Sequence, residues 1–245
     1  MWVRPVSALY PTTWAKFTRT NKDGKLIHFE IQDITEDLYS ACTKFMTKHF
    51  IPDEPMYTAL GFMNDSASIK EQQGWWTAIL PEKLSLVCLI KDSKNPNTES
   101  QIAGINFLYY HHKSHDEMNC QFKGEVFKTI CNIVQQLENQ INRYELLNVD
   151  EYIDDFGLCV HPDYRGMGIA TELLKAKDNL GKGVGLKATF TVFSAIASQK
   201  AADKAGYKTL VEMKYSDLQK IFPQHELNVK DTPSIKYTYK LFSDT

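Results

Sequence analysis

The sequence has few of the features that announce an extracellular compartment or a polymeric partner. Its five cysteines, Cys42, Cys88, Cys120, Cys131 and Cys159, are scattered, odd in number and never arranged as CxxC. This spacing excludes a disulfide framework or a zinc ribbon and predicts reduced, mostly buried thiols. No apolar run approaches the roughly 20 residues that a membrane helix needs. The opening residues, MWVRPVSALYPTTW, contain no apolar h-region, so the expectation is no secretory leader and a cytoplasmic location. The sequon Asn64-Asp65-Ser66 is then a chance match. An excess of one charge is missing as well: 28 Lys and Arg stand against 30 Asp and Glu, a net charge of −2. No positive field invites nucleic acid or a membrane surface. Internal repeats and low-complexity linkers are absent too.

What is present is apolar material for a large core: 245 residues, 43% hydrophobic and 12% aromatic. The length predicts one globular domain with an added element at one end. A monomer is expected rather than an oligomer. Residues 14–20 and 25–31 read as strands joined by Asn21-Lys22-Asp23-Gly24, a hairpin signal. Thr35 is a candidate N-cap for a helix carrying Leu38, Cys42, Phe45, Met46 and His49 at helical spacing, ended near Phe50 by Pro52 and Pro55. Residues 56–80 read as helix broken at Gly61 and Gly74. Strands 84–91 and 101–110 flank a turn containing Asn95-Pro96-Asn97. One helix is predicted from Phe122 to Leu146, where Val126, Phe127, Ile130, Val134, Leu137 and Ile141 recur at helical spacing. Then come a buried strand Asp155–Val160, a helix Ile169–Leu180 with Leu173 and Leu174 inward, and a strand Leu186–Phe193. A helix Ser194–Ala205, ended by Gly206, and strands 209–214 and 234–242 complete the chain. Paired strands followed by strand–helix alternation predict an α/β or α+β sandwich on a mixed sheet.

The stretch VHPDYRGMGIA, residues 160–170, carries the chemistry. A strand runs into a glycine-containing bend and then a helix, which leaves backbone N–H groups free at the positive end of a helix dipole. Gly166 and Gly168 permit positive φ and close approach of a ligand. Arg165 adds a guanidinium fork suited to phosphate. The bend therefore suits a phosphate, most simply a pyrophosphate. The Gly-Lys-Ser/Thr of a P-loop is missing, and the GxGxxG of a dinucleotide site is not met. Asp155-Phe156-Gly157 has the letters of a kinase motif without its companions and reads as the start of a strand.

The segment Leu158 to Ala170 resembles the acetyl-CoA motif of the GNAT acetyltransferase superfamily. Its Arg/Gln-x-x-Gly-x-Gly/Ala pattern is matched by Arg165, Gly168 and Ala170. Ala205-Gly206-Tyr207 resembles the family's closing Leu-Gly-Phe. The resemblance implies an α/β GNAT acyl-CoA N-acyltransferase fold, with a mixed splayed central sheet flanked by helices. Residues 1–28 would be an N-terminal extension with a hairpin strand, and 29–245 the N-acetyltransferase domain. It implies acetyl-CoA as co-substrate and no metal. The pantetheine arm would lie along Leu158, Cys159 and Val160. The pyrophosphate would sit on Arg165, Gly166, Met167, Gly168, Ile169 and Ala170, and a backbone N–H near Val160 would face the oxyanion.

Acyl transfer to an amine needs a base, because an alkylamine with a pKa of about 10.4 is almost entirely protonated at pH 7. HFIPDEPMY, residues 49–57, brackets Asp53 and Glu54 between two prolines on a stiff loop past a helix. By residue physics alone the favoured reading is Asp53 as a cap of the next helix and Glu54 as a solvated acid in its first turn. Asp53-Glu54-Pro55 resembles the stretch that carries the catalytic glutamate in the insect-type arylalkylamine N-acetyltransferase branch, which implies Glu54 as general base. Ser194 and Ser198 match that branch's two active-site serines when Gly206-Tyr207 is aligned with its Gly-Phe. Without the resemblance they read as an N-cap and a small polar helix residue. One departure stands out: Ala202 occupies the place where many of these enzymes have a tyrosine to protonate the thiolate. Ser194, Ser198 or another residue assists, or the thiolate leaves unprotonated. The implied acceptor is the primary amine of a small arylalkylamine. Polyamines or agmatine, a longer acyl-CoA donor, or CoA binding without catalysis are the alternatives.

Two further groupings stand open. His111, His112, His115 and Asp116 have spacing a metal could use, but the stretch follows a strand and is rich in polar residues, so a solvated loop is the favoured reading. Trp75 and Trp76 with Phe62, Met63 and Tyr57 could line an aromatic pocket or pack the core. His49 could relay protons or pack.

Overall fold

The computed structural model of the chain describes residues 2–91, 101–115 and 122–242. The turn at 95–97 and Cys120 lie outside them. In chain order the elements are β1 (Thr13–Thr20), β2 (Leu26–Asp33), α1 (Tyr39–His49), α2 (Pro55–Ala59), α3 (Ser66–Ile79), β3 (Leu86–Ile90) and β4 (Ile102–His112). There follow α4 (Glu125–Glu138), α5 (Arg143–Leu147), β5 (Glu151–Val160), α6 (Ile169–Val184), β6 (Ala188–Phe193), α7 (Ile196–Ala205), β7 (Lys208–Lys214), α8 (Tyr215–Ile221) and β8 (Ser234–Leu241).

The strands form one sheet in the order β1-β2-β3-β4-β5-β6-β8-β7. Every neighbouring pair is antiparallel except β5 and β6. One face is covered by α1, α3 and α4, with Phe45, Met46, Trp76, Phe127 and Ile133 buried against Val87, Ile105, Phe107 and Tyr152. The other face is covered by α6, whose Ile169, Leu173, Ala176 and Leu180 meet Phe29, Leu86, Cys88 and Ile153. Such alternation of strand residues between two cores is what a period of two produces when both faces are covered.

The pairing of β5 with β6 positions the site. It involves two register pairs, Ile153 with Thr189 and Asp154 with Phe190, after which the strands part. Opposite β4, three steps on β5 from Asp155 to Leu158 match two on β4 from Leu108 to Asn106, which is a bulge. A bulge bends its strand, and Gly157 at φ +125° makes the bend. A Cβ there would stand 2.8 Å from Met46 Cε, so the position takes glycine for space as well as conformation. The amide of buried Asn106 donates to Asp155 Oδ1 at 2.9 Å and to Gly157 O at 3.3 Å, pinning the bulge. The expected mixed, splayed sheet is present, and the gap between β5 and β6 is the splay.

Several sequence expectations need correction. Gly61 ends a helical segment in the left-handed region, but Gly74 lies inside α3, exposed and with open space around it. The expected helix 122–146 is two: α4 ends at Glu138, and Asn142 caps α5 by accepting from Glu145 N–H at 3.4 Å. Thr35 makes no side-chain cap bond, and Asp155–Phe156–Gly157 lies inside β5 rather than at its start. Residues 155–158 are only half-buried, because they face the splay. The division at 28/29 falls within β2. Among the described residues no helix is long and apolar enough to cross a membrane.

Candidate active site

The end of β5 and the start of α6 form the first half of the site. His161 N–H donates to Ala103 O at 2.9 Å, which makes Val160 and Gly104 a non-hydrogen-bonded pair. The N–H and C=O of Val160 therefore point away from β4, toward the open side. A short 3-10 turn at Pro162–Tyr164 follows, with His161 Nδ1 accepting from Asp163 N–H at 3.2 Å. Gly166 and Gly168 both take left-handed φ, +80° and +79°, and a Cβ on Gly166 would meet nothing within 4 Å. The first amides of α6 have no intrahelical acceptor by position, and Gly168 through Thr171 line a cavity of about 760 Å³. This is the backbone cradle that an anion requires. The exposed Lys200 and Lys204 of α7 line the same cavity.

The loop after α1 supplies the second half. The N–H groups of Asp53 and Glu54 donate to Phe50 O at 3.1 and 2.9 Å, folding the chain back, and Pro55 starts α2. Glu54, not Asp53, is the N-cap: its Oε2 accepts from Tyr57 N–H at 2.6 Å. Its Oε1 accepts from Ser194 Oγ–H. The residue is only 7% exposed, and burial pushes its carboxyl up to about 7 despite the bonds from Ser194 and Tyr57, which favour the charged form. A solvated acid is therefore the wrong picture for Glu54. Asp53 turns outward and pairs with Arg165, its Oδ2 3.0 Å from a guanidinium nitrogen, while Arg165 Nε donates to Val160 O at 3.2 Å.

Ser194 is not the cap of α7; that place is taken by Ala195. It is held instead by Tyr215, whose hydroxyl donates to Ser194 O at 2.8 Å. Ser198 Oγ donates to Ala195 O at 2.8 Å, and both serines line the cavity with Glu54 and Leu158–Val160. The structure thus brings Glu54, Ser194, Ser198, Leu158, Cys159, Val160, Arg165, Gly166, Gly168, Ile169 and Ala170 around one space. Met167 does not line it; its carbonyl is turned toward β1.

Beyond Glu54 the cavity has aromatic walls: Phe50, Tyr57, Phe122, Phe127 and Phe156. Its far end is polar, where Tyr109 donates to Asp154 Oδ2 at 2.8 Å and Glu138 pairs with Arg143 at 3.1 Å. The other expected aromatic residues do different work. Trp76 and Phe62 are core, Trp76 Nε1 donating to Phe156 O at 2.8 Å, and Met63 is exposed. His49 packs at tilted angles between Phe45 and His161. Among the described residues no group of three or more His, Cys, Asp or Glu is placed to hold a metal. Asp116 and the side chain of His115 lie outside them.

One cluster was missed by sequence reasoning. Lys177 is fully buried on α6, its Nζ 2.6 Å from Asp155 Oδ2 and 3.4 Å from Thr191 Oγ1. Thr191 also donates to Asp155 Oδ2. These three side chains bridge α6, β5 and β6 where the two strands part. The available signal was a lysine in step with Leu173 and Leu180 on the inward face of α6.

A sheet splayed beside one parallel pair, with a glycine bend and helix N-terminus at its mouth, defines an acyltransferase of the GNAT class. The sequence profile of the acetyltransferase (GNAT) family matches residues 142–207. A candidate arylalkylamine N-acetyltransferase, number 7 of the yellow fever mosquito Aedes aegypti, is 31% identical, with 99% of this chain and 100% of the mosquito chain covered and a TM-score of 0.90. The chain belongs to the GNAT acetyltransferase family, among its insect arylalkylamine N-acetyltransferase-like members, and is an acyltransferase. Two more distant structures share the fold. Arylalkylamine N-acetyltransferase 2 of Aedes aegypti is 20% identical, with 88% and 99% of the two chains covered and a TM-score of 0.76. The polyamine N-acetyltransferase of Drosophila melanogaster, which forms N-acetylagmatine, is 15% identical, with 87% and 99% covered and a TM-score of 0.69.

Proposed function

We propose that the protein transfers the acetyl group of acetyl-CoA to the primary amine of a small arylalkylamine, with Glu54 as general base. The observation that carries this reading is the buried Glu54 carboxyl, poised at about 7 in the same cavity as the amides of the glycine bend. A base with a pKa near the working pH combines a useful fraction of ionised form with real proton affinity. Gly166, Gly168, Ile169 and Ala170 fit the donor's pyrophosphate, with Arg165 beside them. The Leu158–Val160 edge fits its pantetheine arm, and acetyl-CoA supplies the activated thioester.

An ammonium entering past Phe122, Phe127 and Phe156 gives its proton to Glu54. The free amine then attacks the thioester carbonyl carbon, and the C–S bond breaks as the N–C bond forms. The Val160 N–H, turned away from β4, is the candidate donor to the developing oxyanion. Ser194 orients the Glu54 carboxylate and supports its charged form. Ala202 offers no acid, and a thiolate with a pKa near 8.5 leaves without one at modest cost. Residues 2–28 run through β1 into β2 and belong to the working unit.

The aromatic walls favour an aryl side chain. The carboxylates of Asp154 and Glu138 at the far end favour a second cation, as in a polyamine or agmatine, but Tyr109 and Arg143 already engage them. A thiol-release assay with acetyl-CoA and a panel of aryl, imidazole and polyamine amines tests the reading. The highest kcat/KM is expected for an arylalkylamine; a polyamine at the head of the panel reverses the choice, and no release with any amine refutes it.

A further inference from the structure

Arg19 lies on β1, in the hairpin for which the sequence suggested no role. Each of its three guanidinium nitrogens is engaged by the protein. Nε donates to Met167 O at 3.0 Å, one terminal nitrogen to Glu172 Oε1 at 3.0 Å and the other to Thr18 O at 2.8 Å. The cation stacks over Phe17, 4.8 Å from its centroid; Phe17 stacks on Phe29, and Phe29 meets Tyr164 of the bend edge-on at 6.1 Å. The hairpin thus grips the bend twice, through a charge-assisted hydrogen bond and through an aromatic relay.

The grip falls where it matters. Met167 stands between two glycines with left-handed φ, and glycines leave the flanking peptide planes freest to turn. A peptide unit is planar and trans, so its C=O and N–H point in opposite directions. Holding Met167 O toward the hairpin sends the Gly168 N–H the opposite way, and Gly168 lines the cavity while Met167 does not. Glu172, in the first turn of α6, would oppose an anion at that helix end; Arg19 and Lys175 stand against its charge at 3.0 and 3.8 Å.

We propose that Arg19 is a positioning residue for the donor's pyrophosphate: the hairpin locks the Met167–Gly168 peptide with its N–H toward the anion and offsets the charge of Glu172. The proposal rests on the acetyl-CoA reading of the bend. The test is calorimetric titration of the full chain with CoA. Arg19→Ala should bind CoA about tenfold more weakly. Arg19→Lys, which keeps the charge but not the fork, should bind about threefold more weakly. In turnover, the acetyl-CoA KM should rise while kcat at saturating donor and the amine KM stay within about twofold. With S-acetylpantetheine, which has no pyrophosphate, wild type and variant should share one KM. Unchanged CoA affinity in a folded Arg19→Ala protein, or an equal loss with S-acetylpantetheine, overturns the proposal. If the alanine variant does not fold, wild-type affinity in Arg19→Lys overturns it. A wild-type protein that binds no CoA refutes the donor reading itself, a result distinct from either.

Discussion

The two halves of the cavity are made of different material. The half proposed for the donor is main chain: one unbroken segment, Leu158 to Thr171, whose amides and two left-handed glycines shape the cradle. The half proposed for the acceptor is side chain: Glu54 from a loop, Ser194 from the end of β6, and aromatic rings from α2, α4, β5 and the loop after α1. A backbone cradle recognises a charge pattern that any donor of the class carries. A side-chain pocket is free to change its choice of acceptor without disturbing that cradle. Substitutions on one side should therefore leave the other side's ligand almost untouched.

The largest expected effect is on the acceptor side. Glu54→Ala should lower kcat/KM for the amine by about 10³-fold, within the range for loss of a general base, while CoA affinity by calorimetry stays within about twofold. A matching loss of CoA affinity would break the division into halves.

The junction should behave differently. The side chains of Lys177 and Asp155 are both nearly fully buried at the point where β5 and β6 part. Lys177→Met leaves Asp155 without its cation in the interior, at a cost of about 3–5 kcal/mol. Urea unfolding should show it, and both ligands should weaken together because the splay carries both halves. A loss confined to one ligand would place Lys177 inside a half rather than between them.

This division also explains what could be read from the sequence. The glycine bend was legible because a contiguous backbone device needs glycines at fixed spacing, and Arg165-Gly166-Met167-Gly168 displays them. Most element types were legible from periodicity, although the short α8 (Tyr215–Ile221) between the last two strands was not. The break between α4 and α5 was not, because Leu137 and Ile141 keep helical spacing across Asn139. On the acceptor side Asp53-Glu54-Pro55 was visible, but not that Glu54 would be the cap and Asp53 the partner of Arg165. That depends on burial by α2, β6 and Tyr57, which no local pattern encodes. Arg19 reaches Met167 across 148 positions, and its side chain alone cannot announce such a contact.

A pH experiment isolates the acceptor half. Glu54 holds its proton up to about 7 when folded, above the ordinary glutamate value of 4.5. Between these values the unfolded chain ionises and the folded chain does not, so the residue's contribution to stability is full below 4.5 and falls as pH rises to 7. The total change is roughly 3 kcal/mol. Glu54→Gln cannot ionise, so its unfolding free energy relative to wild type should increase from pH 5 to pH 8. Ser194→Ala removes a bond that favours the carboxylate, so the acid limb of kcat/KM should move above 7 by up to about one pH unit. A limb that stays in place would take Ser194 out of the acceptor half.

The smallest effect is expected where the halves touch. Asp53 and Arg165 form a two-bond ion pair between the acceptor loop and the donor bend, yet their side chains are 59% and 42% exposed. Exposed pairs contribute about 0–1 kcal/mol, because water competes for both charges and salt screens them. Arg165 also keeps its bond to Val160 O at 3.2 Å when Asp53 is gone. Asp53→Asn should therefore shift CoA affinity by less than about threefold and leave the pH profile of Glu54 in place, measured at 0.15 M salt. A tenfold loss of CoA affinity, or a displaced acid limb, would mean that the pair carries information between donor and acceptor, and the separation of the halves would fail at this contact.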